Sequence, residues 1–194
     1  MKQRCSWSNG DPLMEHYHDT EWGVPLYDDK KLFEFIVLDS FQAGLSWATI
    51  LRKRENFRTA LDDFDADKIA GYDEAKFEKL LQDAGIIRNR LKIRGTIENA
   101  IAFKKVQQEF RTFDKYIWQF VGWKPLINSW KVLKEIPASS IESNFMSKGL
   151  KKRGFKFVGT TICYAFMQAS GMVNDHLVDC FRYHEVNKET IHDI

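Results

Sequence analysis

Lys148-Gly149-Leu150-Lys151-Lys152-Arg153-Gly154-Phe155-Lys156-Phe157-Val158-Gly159-Thr160-Thr161 is the stretch from which the architecture can be read. Two glycines five apart flank an apolar tip, and five cations fall within nine residues. Gly154 allows a left-handed C-cap, and Gly159 lets backbone come close to a ligand. A helix that ends at Gly154 and another that starts after Gly159 leave N–H groups unpaired at the second helix start, where an anion can sit. One reading is an ordinary αα-hairpin with a solvated basic face. The other is a hairpin that grips one DNA phosphate without reading sequence. The stretch alone fits both.

Working outward, helix signals dominate. Ser139 with Glu142 fits a capping box for the helix that stops at Gly154. Val158 to Ser170 reads as an apolar helix closed by Gly171. Asp175 to Phe181 reads as a last helical turn or two, and only Phe155 to Thr161 hints at a strand. Upstream, Asp11-Pro12 opens a short helix through Asp19. Asp28 caps a second, and Ser46 starts a third through Arg54. Asp73 opens a helix that Gly85 ends. Arg90 to Gln108 is a long amphipathic helix with Ile93, Ile97, Ile101 and Phe103 inward. Phe113 to Val121 is short and aromatic. The expectation is an all-α chain, one domain over residues 1–194 or two small lobes around one site.

Composition narrows the classes. Hydrophobic residues make up 44% and charged residues 29% of 194, enough for a real core. Lys plus Arg is 29 against 27 Asp plus Glu, so net charge neither demands nor excludes a nucleic-acid partner. The longest uncharged stretch, 157–174, is interrupted by Thr160, Thr161, Gln168, Ser170 and Asn174, which reads as a buried helix and not a membrane span. The three cysteines Cys5, Cys163 and Cys180 form no disulfide framework, and the N-terminus has no apolar leader run. A reduced, cytoplasmic setting is expected.

Two constellations carry chemistry. Cys5 and His18 lie thirteen apart, and His176 and Cys180 four apart, a spacing that shares one helix face. Two thiolates and two imidazoles suit a tetrahedral Zn²⁺, and four protein ligands would make it structural. On spacing alone, with the two pairs far apart in sequence, small buried residues and hydrogen-bonded core histidines are the preferred reading. His16, His184 and His192 are rival ligands. His16 would point elsewhere on a helix, and the other two fall in a charged tail expected to be loose. Separately, Trp7, Tyr17, Trp22 and Trp47 surround Asp39 in the sequence. They are either core rings beside an exposed carboxylate or walls that sandwich a flat base whose amino hydrogens Asp39 accepts.

Several runs together resemble one family. They are Arg4-Cys5-Ser6-Trp7, Tyr17-His18-Asp19-Thr20-Glu21-Trp22-Gly23-Val24-Pro25, Gln42-Ala43-Gly44-Leu45-Ser46-Trp47, Asp83-Ala84-Gly85-Ile86-Ile87-Arg88, Arg153-Gly154-Phe155-Lys156-Phe157-Val158-Gly159 and Val173-Asn174-Asp175-His176. In this order, over about residues 2–181, they are similar to the DNA-3-methyladenine glycosylase I (Tag) family of the helix-hairpin-helix DNA glycosylases. The resemblance implies excision of 3-methyladenine from duplex DNA by hydrolysis of the N-glycosidic bond.

It also implies roles. Cys5, His18, His176 and Cys180 fall on the family's zinc ligands, so segments 5–18 and 176–180 would clasp the chain ends. Residues 139–171 fall on the helix-hairpin-helix, with Gly154, Gly159, Lys152, Arg153 and Lys156 toward DNA. Gly44-Leu45 matches a loop that plugs the gap left by the flipped base. Asp39, Trp47, Tyr17, Trp22 and Trp7 would form the base pocket. Asn174 stands where the wider superfamily has a catalytic Asp, so no nucleophile is assigned. Asp39 replaces the usual Glu and Met14 stands where some relatives carry Tyr, which shortens one reach and softens one wall. Rival readings are a non-catalytic binder of alkylated DNA, a relative with altered base preference, and a zinc hydrolase or deaminase. The last would need an open metal position and a nearby acid. Duplex DNA is the expected partner of a monomer.

Overall fold

The computed structural model describes residues 2–189, so His192 lies outside the described residues. Helices dominate, and four of them start at the capping side chains expected from sequence. Asp11 accepts from the Leu13 amide at 3.0 Å and opens α1, Pro12–Thr20, with Pro12 at its first position. Asp28 accepts from Lys31 N at 2.8 Å and opens α2, Asp29–Gln42. Ser46 accepts from Thr49 N at 3.2 Å and opens α3, Trp47–Arg52. Here the sequence reading ran past a break at Lys53, after which α4 covers Arg54–Ala60.

Next come α5, Ala66–Ala70, and α6, Glu74–Gln82, which Asp73 caps. The long α7 is Arg90–Phe110, capped by Asn89. Its buried stripe holds Ile93, Ile97, Ala100, Phe103 and Val106, whereas Ile101, expected inward, is exposed. Spaced by three and four, those residues already fill the inward face, and Ile101 falls a third of a turn off it. The aromatic run forms α8, Phe113–Ile117, then a tight 3-10 turn, Trp118–Val121.

The hairpin helices are α9, Ile141–Lys152, and α10, Thr160–Ala169. The cap of α9 is Ser140 and not Ser139. Its hydroxyl accepts from Ser143 N at 3.2 Å while Ser143 Oγ accepts from Ser140 N at 2.8 Å. Ser143 thus takes the place foreseen for Glu142. Gly154 adopts φ +94°, the left-handed cap expected there. No strand forms over residues 155–161. Phe155 and Val158 bury their side chains while Phe157, at φ +56°, turns outward.

Strand pairing among the described residues is one parallel ladder, β1 Leu126–Ile127 beside β2 Val173–Asn174. The helical turn expected at 175–181 is absent, and α11 begins at Phe181, running to Glu189. The reason is tertiary. His176 N is taken by Asn174 Oδ1, Leu177 N by Cys5 Sγ and Val178 N by the Trp130 carbonyl. Amides held this way cannot close helical turns.

Packing puts α2 at the centre. Ten of its residues are buried, with α10 against one side and α7 against another. A helix apolar nearly all round belongs in a core. Gly171, at φ +67°, ends α10 where a Cβ would sit 2.2 Å from the Val24 carbonyl carbon. That close approach seats the 24–26 segment on α10, with Leu26 N donating to the Ser170 carbonyl at 3.1 Å.

Candidate functional site

Near its C-terminal end, α2 carries Asp39 into the interior. Asp39 is 2% exposed, and its Oδ2 has no hydrogen-bond partner. Burial alone holds its carboxyl well above the usual carboxylate range. Asp39 lines a cavity of about 230 Å³. Trp7, Tyr17, Trp22 and Trp47 wall the same cavity, with Met14 and Gln42 beside them. All five residues expected to handle a base are therefore brought together. Tyr17 and Trp47 face each other at 5.3 Å between ring centroids, inclined by 48°. Trp47 Nε1 is also buried without a partner. Buried polar atoms are almost always bonded, so one orphan acceptor and one orphan donor in one aromatic cavity are the mark of a polar, flat ligand. A larger opening of about 480 Å³ lies on the other side of Tyr17, but its Arg54 and Arg58 are already paired with Glu21, Glu34 and Glu55.

Cys5, His18, His176 and Cys180 are all buried, and their ligand atoms lie within 4.8 Å of one another. Cys180 Sγ is 3.4 Å from His18 Nε2 and 3.6 Å from His176 Nδ1, and Cys5 Sγ is 3.8 Å from His176 Nδ1. Around a tetrahedral Zn²⁺ with bonds of about 2.3 Å to sulfur and 2.0–2.1 Å to nitrogen, neighbouring donors lie roughly 3.3–3.8 Å apart. The donor set fits. The imidazoles are also oriented for it. His18 Nδ1 donates to Asp19 at 2.8 Å, and His176 Nε2 donates to the Trp22 carbonyl at 3.0 Å, which leaves the other nitrogens as acceptors, His18 Nε2 beside the Cys180 thiol and the Cys5 amide and His176 Nδ1 beside both thiols. Arg4 holds Asp19 in turn. Hydrogen bonding between the two thiols, ahead of burial, raises Cys5 and lowers Cys180. His16 lies outside this group, and His184 is exposed on α11. The group offers no opening for a substrate, which disfavours the hydrolase and deaminase readings.

At the hairpin, a Cβ at Gly154 or Gly159 would meet nothing within 4 Å. Gly159 precedes α10 without any side-chain cap, so the first amides of α10 are open. Lys152 and Lys156 are exposed. Arg153 is not. It forks onto Glu109 at 2.5 and 2.9 Å and lies over the rings of Phe110 and Tyr116. Gly44, at φ +82°, and Leu45 form an exposed tip between α2 and α3.

Sequence reasoning missed the residues that hold these parts. Asn99, buried on α7, brackets Lys156. Its Oδ1 accepts from the Lys156 amide at 2.6 Å and its Nδ2 donates to the Lys156 carbonyl at 3.2 Å. Gly95, one turn earlier, leaves room for the Phe157 ring, which a Cβ would strike at 2.9 Å. A glycine inside a long helix was the available signal. Lys92 is buried and donates to the carbonyls of Phe41 and Ala43 at 2.8 and 2.7 Å, fastening the tip loop. Burial lowers its pKa. Asn174 is wholly engaged with Tyr183, Asn187 and the His176 amide, away from the cavity.

Comparison with known proteins agrees with this geometry. The family model described as methyladenine glycosylase matches residues 7–183. DNA-3-methyladenine glycosylase 1 of Escherichia coli is 54% identical over 181 residues, covering 93% of this chain and 97% of that protein. A crystal structure of 3-methyladenine DNA glycosylase I superposes with TM-score 0.90 at 52% identity, covering 92% of this chain and 98% of the other. A Tyr-to-Phe variant of 3-methyladenine DNA glycosylase I, in complex with 3-methyladenine, superposes with TM-score 0.89 at 34% identity, covering 92% and 96%. With its fold and nearly its whole length shared, the chain belongs to the methyladenine glycosylase family.

Proposed function

We propose that the protein is a DNA-3-methyladenine glycosylase, which takes the methylated base out of duplex DNA and hydrolyses its N-glycosidic bond. The observation that carries this is Asp39, a buried carboxylate with an unpartnered oxygen inside a cavity of aromatic rings. A flipped 3-methyladenine is flat, donates from its amino group and is cationic until it leaves. Stacking on Tyr17 and Trp47 and a charge-assisted bond to Asp39 answer all three properties. The lesion leaves readily because departure neutralises it. The protein therefore needs to position and dehydrate it more than to supply a nucleophile, and the oxocarbenium charge left on the sugar is balanced by DNA phosphates and pocket dipoles.

The remaining parts suit DNA. The open amides after Gly159, with Gly154, form a cradle for one backbone phosphate, and Lys152 and Lys156 add longer-range attraction. Arg153 acts on the hairpin from behind. Leu45 on Gly44 serves as the apolar wedge that fills the vacated stack. Lys92 would hold that wedge in place. Cys5, His18, His176 and Cys180 would hold one Zn²⁺, whose contribution is structural, joining the two ends of the chain behind Trp7 and Trp22. The setting proposed is a monomer acting on alkylated duplex DNA in the cytoplasm. Among the described residues no helix is long and apolar enough to cross a membrane.

The test is incubation of methylated duplex DNA with the protein, followed by chromatography of released bases. Release of 3-methyladenine is expected. Tight binding to methylated DNA without release would establish the non-catalytic reading instead.

A further inference from the structure

Gln168 sits in the last turns of α10, half-buried, and lines the same cavity as Asp39 and Trp47. Its amide is not free to turn over. Nε2 donates to Asp175 Oδ2 at 2.7 Å. Asp175 is completely buried and accepts three more bonds, from Asn128 Nδ2, Trp130 Nε1 and the Tyr164 hydroxyl, each at 2.7 Å. A carboxylate with four donors aimed at it can only accept. The NH₂ end of Gln168 is thereby pinned to the back of the site. The carbonyl end, Oε1, is left for the cavity.

We infer that Gln168 is a specificity-determining residue: its Oε1 is a second acceptor, besides Asp39, for the exocyclic amino group of the flipped base, and Asp175 fixes it in that role. This rests on the base-pocket reading above. An adenine-type base brings two amino hydrogens, one for each acceptor. A guanine-type base brings a carbonyl oxygen to the same edge. Its lone pairs would face Oε1 and the Asp39 carboxylate with no proton between them. Leaving dry polar groups unpaired discriminates far more strongly than a change of shape.

The experiment compares single-turnover release of 3-methyladenine and 3-methylguanine from one methylated duplex. Wild type, Gln168→Met and Gln168→Glu are tested, each with its folding checked by circular dichroism. Gln168→Met removes the acceptor. Release of 3-methyladenine should fall about tenfold while 3-methylguanine does not fall in step, so the ratio narrows. In Gln168→Glu a protonated carboxyl can donate to Asp175 and keep its C=O toward the cavity, so the ratio should return toward wild type. A purely structural role lowers both releases together, and an unchanged ratio in Gln168→Met overturns the inference. Should that variant not fold, calorimetry of wild type with loose bases decides. N6-monomethyl-3-methyladenine, which keeps one amino hydrogen, must bind roughly tenfold more weakly than 3-methyladenine, and equal binding overturns the inference. Failure of the wild-type protein to release 3-methyladenine at all is a separate result that would sink the glycosylase reading itself.

Discussion

His176 meets Trp22 twice: Nε2 donates to the Trp22 carbonyl at 3.0 Å, and the imidazole lies edge-on to the indole at 4.6 Å between centroids. One side of this histidine belongs to the Cys–His group and the other to the wall of the base cavity. Trp7 repeats the pattern, edge-on to His18 at 5.3 Å and to Trp22 at 5.0 Å. The proposed metal clasp and the proposed base pocket are thus two faces of one packed unit, and a change on one face is expected to reach the other through Trp7 and Trp22.

That arrangement sets the expectation for the metal. Purified protein should hold about one Zn²⁺ per chain, and Cys180→Ser should lose it together with thermal stability. Asp19→Ala leaves all four ligands but frees His18 Nδ1, and metal affinity should drop roughly ten- to a hundredfold. Elemental analysis and competition with a chelator read both effects. Fully active protein without any metal would sink the clasp.

At Asp39 the expectation concerns recognition. Asp39→Asn keeps size but turns one acceptor into a donor, opposing the adenine amino group. A charge-assisted bond is worth about 1.5–3 kcal/mol, so single-turnover release of 3-methyladenine should slow by roughly ten- to a hundredfold. Asp39→Glu restores the reach usual in the resembled family and should release the base at least as fast as wild type. Duplex affinity should hardly move in either variant, because phosphate contacts supply most of it. Equal release by wild type and Asp39→Asn would pass the recognition role to another residue.

The same carboxyl ties activity and stability to pH in opposite directions. Its folded-state pKa is raised by burial, so the folded protein holds this proton more tightly than the unfolded chain does. Stability is therefore lost as pH rises from the unfolded value, about 3.9, up through the raised one. Base release should instead climb over that window as the carboxylate forms. Melting temperatures of wild type and Asp39→Asn should diverge in the variant's favour with rising pH, and the variant's rate profile should lack this step. Parallel melting curves at all pH values would show that Asp39 is ionised throughout.

For the hairpin, Lys152→Ala with Lys156→Ala should weaken damaged and undamaged duplex alike and reduce the salt slope by about two. Arg153→Ala should behave differently. Its guanidinium is committed to Glu109, Phe110 and Tyr116, so the melting temperature should fall with little change in salt slope. Filter binding across a salt series separates the two. A salt slope unchanged in the double lysine variant places the clamp elsewhere.

Local chemistry was legible and long-range chemistry was not. Asp11, Asp28, Ser46 and Asp73 announced their helices because an N-cap is settled within three residues. Ser140 was missed by one position because Glu142 mimicked the box that Ser143 completes. The turn after Asn174 looked helical because nothing local reveals that Cys5 and Trp130 claim its amides. In the site, the four metal-type ligands and the aromatic ring set could be chosen from the sequence through the resemblance. Asn99 and Asp175 were not, since Lys156, Asn128 and Trp130 lie far from them in the chain, and Gly95 showed only as a glycine inside a long helix. Arg153 looked like one more cation of the basic face, and only the fold shows that it forks onto Glu109 over Phe110 and Tyr116.

Three of the six tryptophans, Trp7, Trp22 and Trp47, line one small cavity. Indole is electron-rich, and an alkylated purine carrying positive charge is a good electron acceptor. Half of the chain's tryptophans are thus gathered where the lesion would dock, and the arrival and departure of a charged base should be written into the protein's own fluorescence.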